Sequence, residues 1–298
     1  MIAAAKPLDV ALASCVAPPE ADPDEALLVA ALAGTGISSE VVSWDDPRAD
    51  FGRAKMTLLR STWNYPQQPR EFLLWLAKVA RISDLWNPLE MAQWNFHKGY
   101  LLELEGAGIP IAPTALVKRG ANRLLSDVMT ARDWRLAVVK PAVSANSFRT
   151  VRVADVLSDS SDSGSSGEAH LRALTDSGDV LVQQYLPSVE EYGERALIWI
   201  DGQLTHGVRK SARFAGEHES VSPGSVEIAP AEADLAARAM TFVCGKFSVA
   251  PMYARVDVAP GPAGTPVLME LELIEPSLYF GQSVKSLERF VAAVRDRL

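Results

Sequence analysis

Apolar runs alternate with amphipathic stretches along the first ninety residues. Leu8 to Ala13 is a short apolar run ending at Ser14-Cys15, and Asp22-Pro23-Asp24-Glu25 is a helix start signal for Ala26 to Leu32. Gly34 and Gly36 close that helix, and Glu40 to Trp44 and Lys55 to Leu59 read as two further strands, the latter ending in the polar cluster Arg60 to Asn64. Pro69 opens an amphipathic helix that runs to Ala80. This alternation predicts a small parallel α/β layer with ligands at the carboxyl ends of its strands.

Helical periodicity returns over Asn95 to Glu105 and stops at Gly106 and Gly108, after which Ile109 to Thr114 must be extended because of its prolines. A second unit then shows strand Thr114 to Val117, helix Ala121 to Ala131 and strand Leu136 to Lys140. Ser158 to Gly167 is a low-complexity stretch expected to be a mobile surface loop, with helix His170 to Thr175 behind it. Val180 to Tyr185 is a β-branched strand. Arg195 to Ile200 and Gln203 to Val208 form a hairpin across Asp201-Gly202. Pro230 to Gly245 is a long alanine-rich helix, Met252 to Val258 and Val267 to Ile274 are strands, and Ser283 to Arg297 closes the chain as a helix.

Composition narrows the class. The 298 residues are 48% hydrophobic and 22% charged, enough for a sizeable core, and the net charge of −8 opposes non-specific nucleic-acid binding. Two cysteines, Cys15 and Cys244, are too few for a disulfide framework. Leu12-Ala13-Ser14-Cys15 has the shape of a lipoprotein box, yet Lys6 and Asp9 interrupt the apolar stretch before it. No apolar run approaches a membrane span, so a cytoplasmic protein is expected.

The chemistry concentrates in a few places. A strand puts residues i and i+2 on one face, so Arg255 with Asp257 and Glu270 with Glu272 converge if their two strands pair antiparallel. Such a face is either solvated or held together by a hard cation such as Mg²⁺. Lys98 near a helix start and Lys140 at a strand end before Pro141 are candidate phosphate contacts, and Ala142 to Ser147 offers small polar residues without the glycines of a phosphate-cradling loop. Gln183-Gln184-Tyr185-Leu186, followed by Glu191 and Glu194, suits an adenine ring and a ribose, or is a strand entering a charged loop. Arg209, Lys210 and Arg213 add a basic cluster. There is no GxSxG, P-loop, GxGxxG or HExxH, and His97, His170, His206 and His218 lack metal spacing. The tryptophans Trp63, Trp75, Trp86 and Trp94 read as packing residues.

Taken in order, Lys98, Gly108-Ile109-Pro110, Val139-Lys140-Pro141, Val182-Gln183-Gln184-Tyr185, Arg255-Val256-Asp257 and Glu270-Leu271-Glu272 resemble the ATP-grasp superfamily. The texture of Arg60-Ser61-Thr62-Trp63-Asn64-Tyr65, Trp86-Asn87-Pro88, His206 to Lys210 and Glu270 to Leu278 is similar to its D-cycloserine-forming ligases, which act on O-ureido-D-serine. The resemblance implies a mixed α/β (α+β) fold with an N-terminal domain over 1–112, a central lid over 113–185 and a C-terminal unit over 186–298. ATP would lie between the last two.

It further implies that Lys98 and Lys140 contact phosphates, that Gln183, Gln184, Tyr185 and Leu186 read adenine, and that Glu194 or Glu191 takes the ribose. Asp257, Glu270 and Glu272 would hold two Mg²⁺ ions, with Arg255 and Lys210 catalytic. Glu272 stands where the superfamily usually has Asn. Arg60, Ser61, Thr62, Asn64 and Ser277 are the expected contacts to a small amino-acid substrate. No nucleic-acid or membrane partner is implied, and a homo-oligomer is left open. The implied reaction is carboxylate activation as an acyl phosphate followed by intramolecular closure. An intermolecular amine ligase and a silent nucleotide-binding protein are the alternatives.

Overall fold

Strand β1 (Leu8–Ser14) is buried from Val10 onward, as a run shielded on both faces requires. The computed structural model describes residues 7–154, 162–214 and 220–298. In it β1 lies parallel to both β2 (Ser39–Ser43) and β3 (Ala54–Leu59), and β4 (Asp84–Trp86) joins beside β3, giving the order β2-β1-β3-β4. Helices α1 (Glu25–Gly34) and α2 (Pro69–Val79) make the crossovers that parallel strands need.

The helix expected over Asn95 to Glu105 begins only at Tyr100, as α4 (Tyr100–Gly106), and a separate helix α3 (Leu89–Asn95) ends where it was expected to start, leaving a break between them. The break has a tertiary cause. The Lys98 N–H donates to the Ala142 carbonyl at 2.7 Å, outside any helix, and the Gly99 N–H donates to His97 Nδ1 at 3.0 Å.

A second, antiparallel sheet follows. It comprises β5 (Thr114–Val117), helix α5 (Leu125–Thr130), β6 (Leu136–Pro141), β7 (Val151–Ala154), helix α6 (Asp162–Thr175) and β8 (Val180–Gln184), with strand order β5-β8-β6-β7. Of the expected loop, residues 158–161 lie outside the described residues, but 162–167 are the opening turns of α6. Gly167 has a packing reason to be small, because a Cβ there would sit 2.8 Å from Val153 Cγ1 of β7. At the next residue, the Glu168 carboxylate accepts from the Leu125 and Ser126 N–H groups at 2.8 and 2.9 Å. That cap starts α5 at Leu125, later than the expected Ala121.

The third sheet is built from β9 (Glu194–Ile200), β10 (Gln203–Lys210), β11 (Tyr253–Pro260) and β12 (Pro266–Glu272), in the antiparallel order β10-β9-β11-β12. Asp201 and Gly202 both have positive φ, 46° and 77°, the signature of the tight turn their sequence predicts. Helix α7 (Ser188–Glu191) precedes this sheet, α8 (Pro230–Phe247) packs on it, and α9 (Val284–Arg295) closes the chain. Both rims of the sheet are covered. Val221 and Val226 bridge to Lys210 and Gly207 along β10, and Pro110 and Ala112 exchange backbone hydrogen bonds with Leu268 of β12.

Packing joins the first and third sheets. Val10, Leu12, Leu28 and Met56 share one cluster with Ile198, Val208 and Phe290, while Met91, Tyr100 and Leu104 of α3 and α4 pack with Leu235, Val256 and Leu271. The second sheet has a core of its own around Leu125, Val139 and Val182. It meets the third along a strip that includes Leu136, Tyr185, Leu186, Ala259 and Met269. Among the described residues no helix is long and apolar enough to cross a membrane.

Candidate active site

The main cleft lies between the second and third sheets. It holds about 1160 Å³ including its open mouth, the scale of a small-molecule site. Its floor is the β11/β12 hairpin, whose register sets Arg255 opposite Glu272 and Asp257 opposite Glu270. Val256 and Leu271 face the other way and are buried. The expected convergence of three carboxylates and an arginine is therefore real.

Cations from three directions neutralise that face. Arg255 Nε is 2.9 Å from Asp257 Oδ1, and its Nη2 also bonds Glu272. Lys210 Nζ, arriving from β10, is 2.7 Å from Asp257 Oδ2 and 3.4 Å from Glu194. Lys98, delivered by the break between α3 and α4, pairs with Glu270, and Lys140 at the end of β6 is 3.9 Å from the same carboxylate.

Burial and charge oppose each other here. Burial alone would raise the Asp257 carboxyl, but Arg255 and Lys210 hold it below the ordinary carboxylate range. Burial would likewise lower the Arg255 guanidinium, yet Asp257 and Glu272 keep it well above its usual value. Lys140 is pushed down to about 7 by burial and by the charge of Lys98.

The second sheet supplies the other wall. Gln183, Gln184, Tyr185, Leu186 and Glu194 line the cleft, whereas Glu191 does not and offers its carbonyl to Arg209 at 2.8 Å. The N–H groups of Gln184 and Tyr185 are already bonded to Pro113 and Leu136 carbonyls at 2.8 and 3.0 Å, and Gln183 Nε2 donates to Thr114 at 3.0 Å. After Lys140 the loop carries Ser144, Ala145, Asn146 and Ser147 into the cleft. Its lack of glycine does not prevent left-handed geometry, since Asn146, Ser147 and Arg149 have φ of 52°, 54° and 53°. Such residues cluster at functional sites, where surrounding structure holds the strain.

The segment Arg60 to Tyr65 divides. Arg60, Ser61, Thr62 and Asn64 are buried and do not line the cleft. Arg60 faces Asp24 at 3.3 Å, Ser61 bonds Ser14 at 2.8 Å, and Asn64 accepts from Trp44 and donates to Asp45, both at 2.7 Å. Trp63 does line the cleft, with Nε1 donating to the Glu275 carbonyl at 3.0 Å, and the Tyr65 phenol donates to the Ser144 carbonyl at 3.5 Å beside the Glu275 carboxyl. Ser277 also lines it.

The 144–147 loop falls within the polar segment Ala142 to Ser147 singled out in the sequence, whereas Trp63 reads there as a packing residue and Glu275 is not among the expected site residues. Glu275 lies beyond the end of β12, where strand alternation no longer speaks. His206 bonds Thr205 and the Tyr279 carbonyl, as a structural histidine does.

Two side-chain amides fix the hairpin. Asn95 Nδ2 donates to the Leu271 carbonyl and its Oδ1 accepts from the Leu273 N–H, both at 2.8 Å, while Tyr100 accepts from the Leu271 N–H at 3.0 Å. Asn87 does the same for Tyr253, Leu273 and Met252 at 2.7–2.9 Å. Glu272 thus sits between two residues whose backbones are pinned.

The donor set fits magnesium nucleotide. Asp257, Glu270 and Glu272 offer only hard oxygen atoms, and the four cations around them match phosphate. Among the described residues no three carboxyl, imidazole or thiol groups are gathered as ready metal ligands, because each carboxylate now faces a cation.

Residues 10–87 match the family described as the N-terminal domain of D-cycloserine synthetase DcsG. The cycloserine biosynthesis protein DcsG of Streptomyces lavendulae is 30% identical over 288 residues, covering 93% of this chain and 94% of that protein. A crystal structure of D-cycloserine synthetase DcsG superposes with a TM-score of 0.87 at 28% identity, covering 97% of this chain and 99% of that one. The ATP-grasp ligase PsnB, solved with a variant of its minimal precursor, Mg and ADP, superposes with a TM-score of 0.61 at 15% identity over 98% and 99% of the two chains, a likeness of fold.

Proposed function

The chain belongs to the D-cycloserine synthetase family of ATP-grasp ligases, and on that premise we propose that it is an ATP-dependent ligase of cycloserine biosynthesis that converts O-ureido-D-serine to D-cycloserine. The observation that carries this reading is the four-residue face of Arg255, Asp257, Glu270 and Glu272, with Lys98, Lys140 and Lys210 closing on it from three other elements.

In this reading Lys98 and Lys140 bind phosphates and the wall from Gln183 to Leu186 takes the adenine, with Glu194 as the candidate for the ribose. Asp257, Glu270 and Glu272 would hold Mg²⁺, which supplies charge neutralisation of the phosphates when bound. Nucleotide phosphates would draw the lysines away from Glu270 and Asp257, freeing those oxygens. Arg255 and Lys210 stabilise the charge that develops on the transferring phosphoryl group.

The substrate carboxylate attacks the γ-phosphorus of ATP and ADP departs, leaving an acyl phosphate. The nitrogen bonded to the side-chain oxygen then attacks the acyl carbon and phosphate leaves, closing the five-membered ring. Hydrolysis of the carbamoyl group releases carbon dioxide and ammonia. Ring closure within one molecule needs no second substrate, so positioning supplies much of the acceleration. The walls of the cleft keep water from the acyl phosphate.

Coupled measurement of ADP release tests the reading. ADP and phosphate should form with O-ureido-D-serine alone, unaffected by added amines and abolished by chelating Mg²⁺. Turnover only on addition of a second amine would establish an intermolecular ligase instead.

A further inference from the structure

The carboxylates of the cleft wall pair with cations with one exception. Asp257 has Arg255 and Lys210, Glu270 has Lys98 and Lys140, Glu272 has Arg255, Glu194 has Lys210, and Glu20 at the mouth has Arg213 at 3.1 Å. Glu275 is 6% exposed, lines the same cleft and forms no ion pair among the described residues. Its position is nonetheless firmly held. The backbone carbonyl accepts from Trp63 Nε1, and the Tyr65 phenol, which donates to the Ser144 carbonyl at 3.5 Å, lies beside the carboxyl.

A buried carboxyl group with no direct ion pair is costly to charge, and such groups in a cleft are candidates for completion by a ligand. The substrate class proposed above carries one cation, an ammonium on the carbon next to the reacting carboxylate. The acidic hairpin and its lysines are suited to the carboxylate and phosphates, which leaves the ammonium without a partner on that face. Glu275 lies three residues beyond Glu272, on the same wall.

We propose that Glu275 is the residue that recognises the α-ammonium group of the amino-acid substrate, with Tyr65 orienting its carboxyl. This assignment rests on the ligase reading given above. It accounts for the use of Trp63 and Tyr65, which join the N-terminal layer to the cleft although their neighbours Arg60 to Thr62 turn away. Burial, reinforced by the charge of Glu272, pushes the Glu275 carboxyl up to about 8 against the weaker opposing pull of Lys98 and Arg255, which form no ion pair with it. An incoming ammonium would favour its charged form, as any opposite charge does.

The test compares kcat/KM for O-ureido-D-serine with that for the analogue bearing hydrogen in place of the α-ammonium. The parent protein should prefer the ammonium compound by on the order of 10- to 100-fold, the equivalent of one charged hydrogen bond. Glu275→Gln should bring that ratio to within about threefold of unity by raising KM for the amino acid, while KM for ATP changes by less than about twofold. Tyr65→Phe leaves the carboxyl in place and should reduce the ratio in the same direction, which provides the measurement if Glu275→Gln does not fold. An undiminished preference in a folded variant overturns the assignment, as does an equal loss for both compounds. If the parent turns over no O-ureido-D-serine under any condition, the functional reading itself fails.

Discussion

Replacing Asp257 by Asn removes the negative charge shared by two buried cations. Lys210 and Arg255 both touch this carboxylate at 2.7–3.2 Å, and Asp257 is 2% exposed. Deleting one partner of a buried ion pair costs about 3–5 kcal/mol. Here each cation retains a second carboxylate, Glu194 for Lys210 and Glu272 for Arg255, so the low end of about 3 kcal/mol applies. At roughly 2 °C per kcal/mol for a chain of this length, the unliganded variant should melt about 6 °C below the parent. Thermal unfolding followed by far-UV circular dichroism at pH 7, without nucleotide, measures this directly. Because the Asp257 carboxyl is held below its ordinary value, its contribution is complete above about pH 4 and fades as pH falls through the lower folded value. The gap between the two proteins should therefore close in acid. A variant melting within about 1 °C of the parent at pH 7 would refute the view that this carboxylate compensates the two cations.

Other changes test separate parts of the site. Glu270→Gln should reduce Mg²⁺-dependent turnover by about 10²-fold or more, and full turnover would remove Glu270 from the metal set. Asn95→Leu leaves the Leu271 carbonyl and Leu273 N–H without partners, so the urea midpoint should fall by the equivalent of about 2–4 kcal/mol, with kcat falling too because Glu272 lies between them. Gly193 has φ +77°, and a Cβ there would lie 2.7 Å from the Lys210 carbonyl; Gly193→Ala should cost about 2 kcal/mol in urea unfolding and weaken ATP binding through Lys210.

What could be read from the sequence follows the range of the forces involved. The hairpin at Asp201-Gly202 and the shared face of Arg255, Asp257, Glu270 and Glu272 were legible because turn chemistry and a period of two are local. The late start of the helix expected from Asn95 was not, since the break before α4 is held by a hydrogen bond from Lys98 to Ala142, more than forty residues away. The segment Arg60 to Asn64 has the polarity of a binding loop, and Asp24, Ser14, Trp44 and Asp45, from elsewhere in the N-terminal layer, supply partners for Arg60, Ser61 and Asn64 that no local pattern announces, while Arg60 Nε and Nη1 and Thr62 Oγ1 are buried without one. Glu275 stood out by no periodicity, because it follows the strand expected over Val267 to Ile274 and falls outside the alternation that joins Glu270 to Glu272. The N-terminal unit taken as 1–112 contains α3 and α4, whose apolar faces pack with the third sheet, a contact that no linear pattern announces.

The covered rims of the third sheet bear on self-association. An open strand edge is a template for another chain, and proteins that leave one exposed risk aggregation and strand exchange. Here Pro110, Ala112, Asn95 and Tyr100 occupy the backbone groups of β12, and Val221 and Val226 occupy those of β10. Strand addition is thus opposed along β12 and at the Gly207 to Lys210 end of β10, and the same amide contacts that aim Glu272 also deny the β12 edge to a neighbouring molecule.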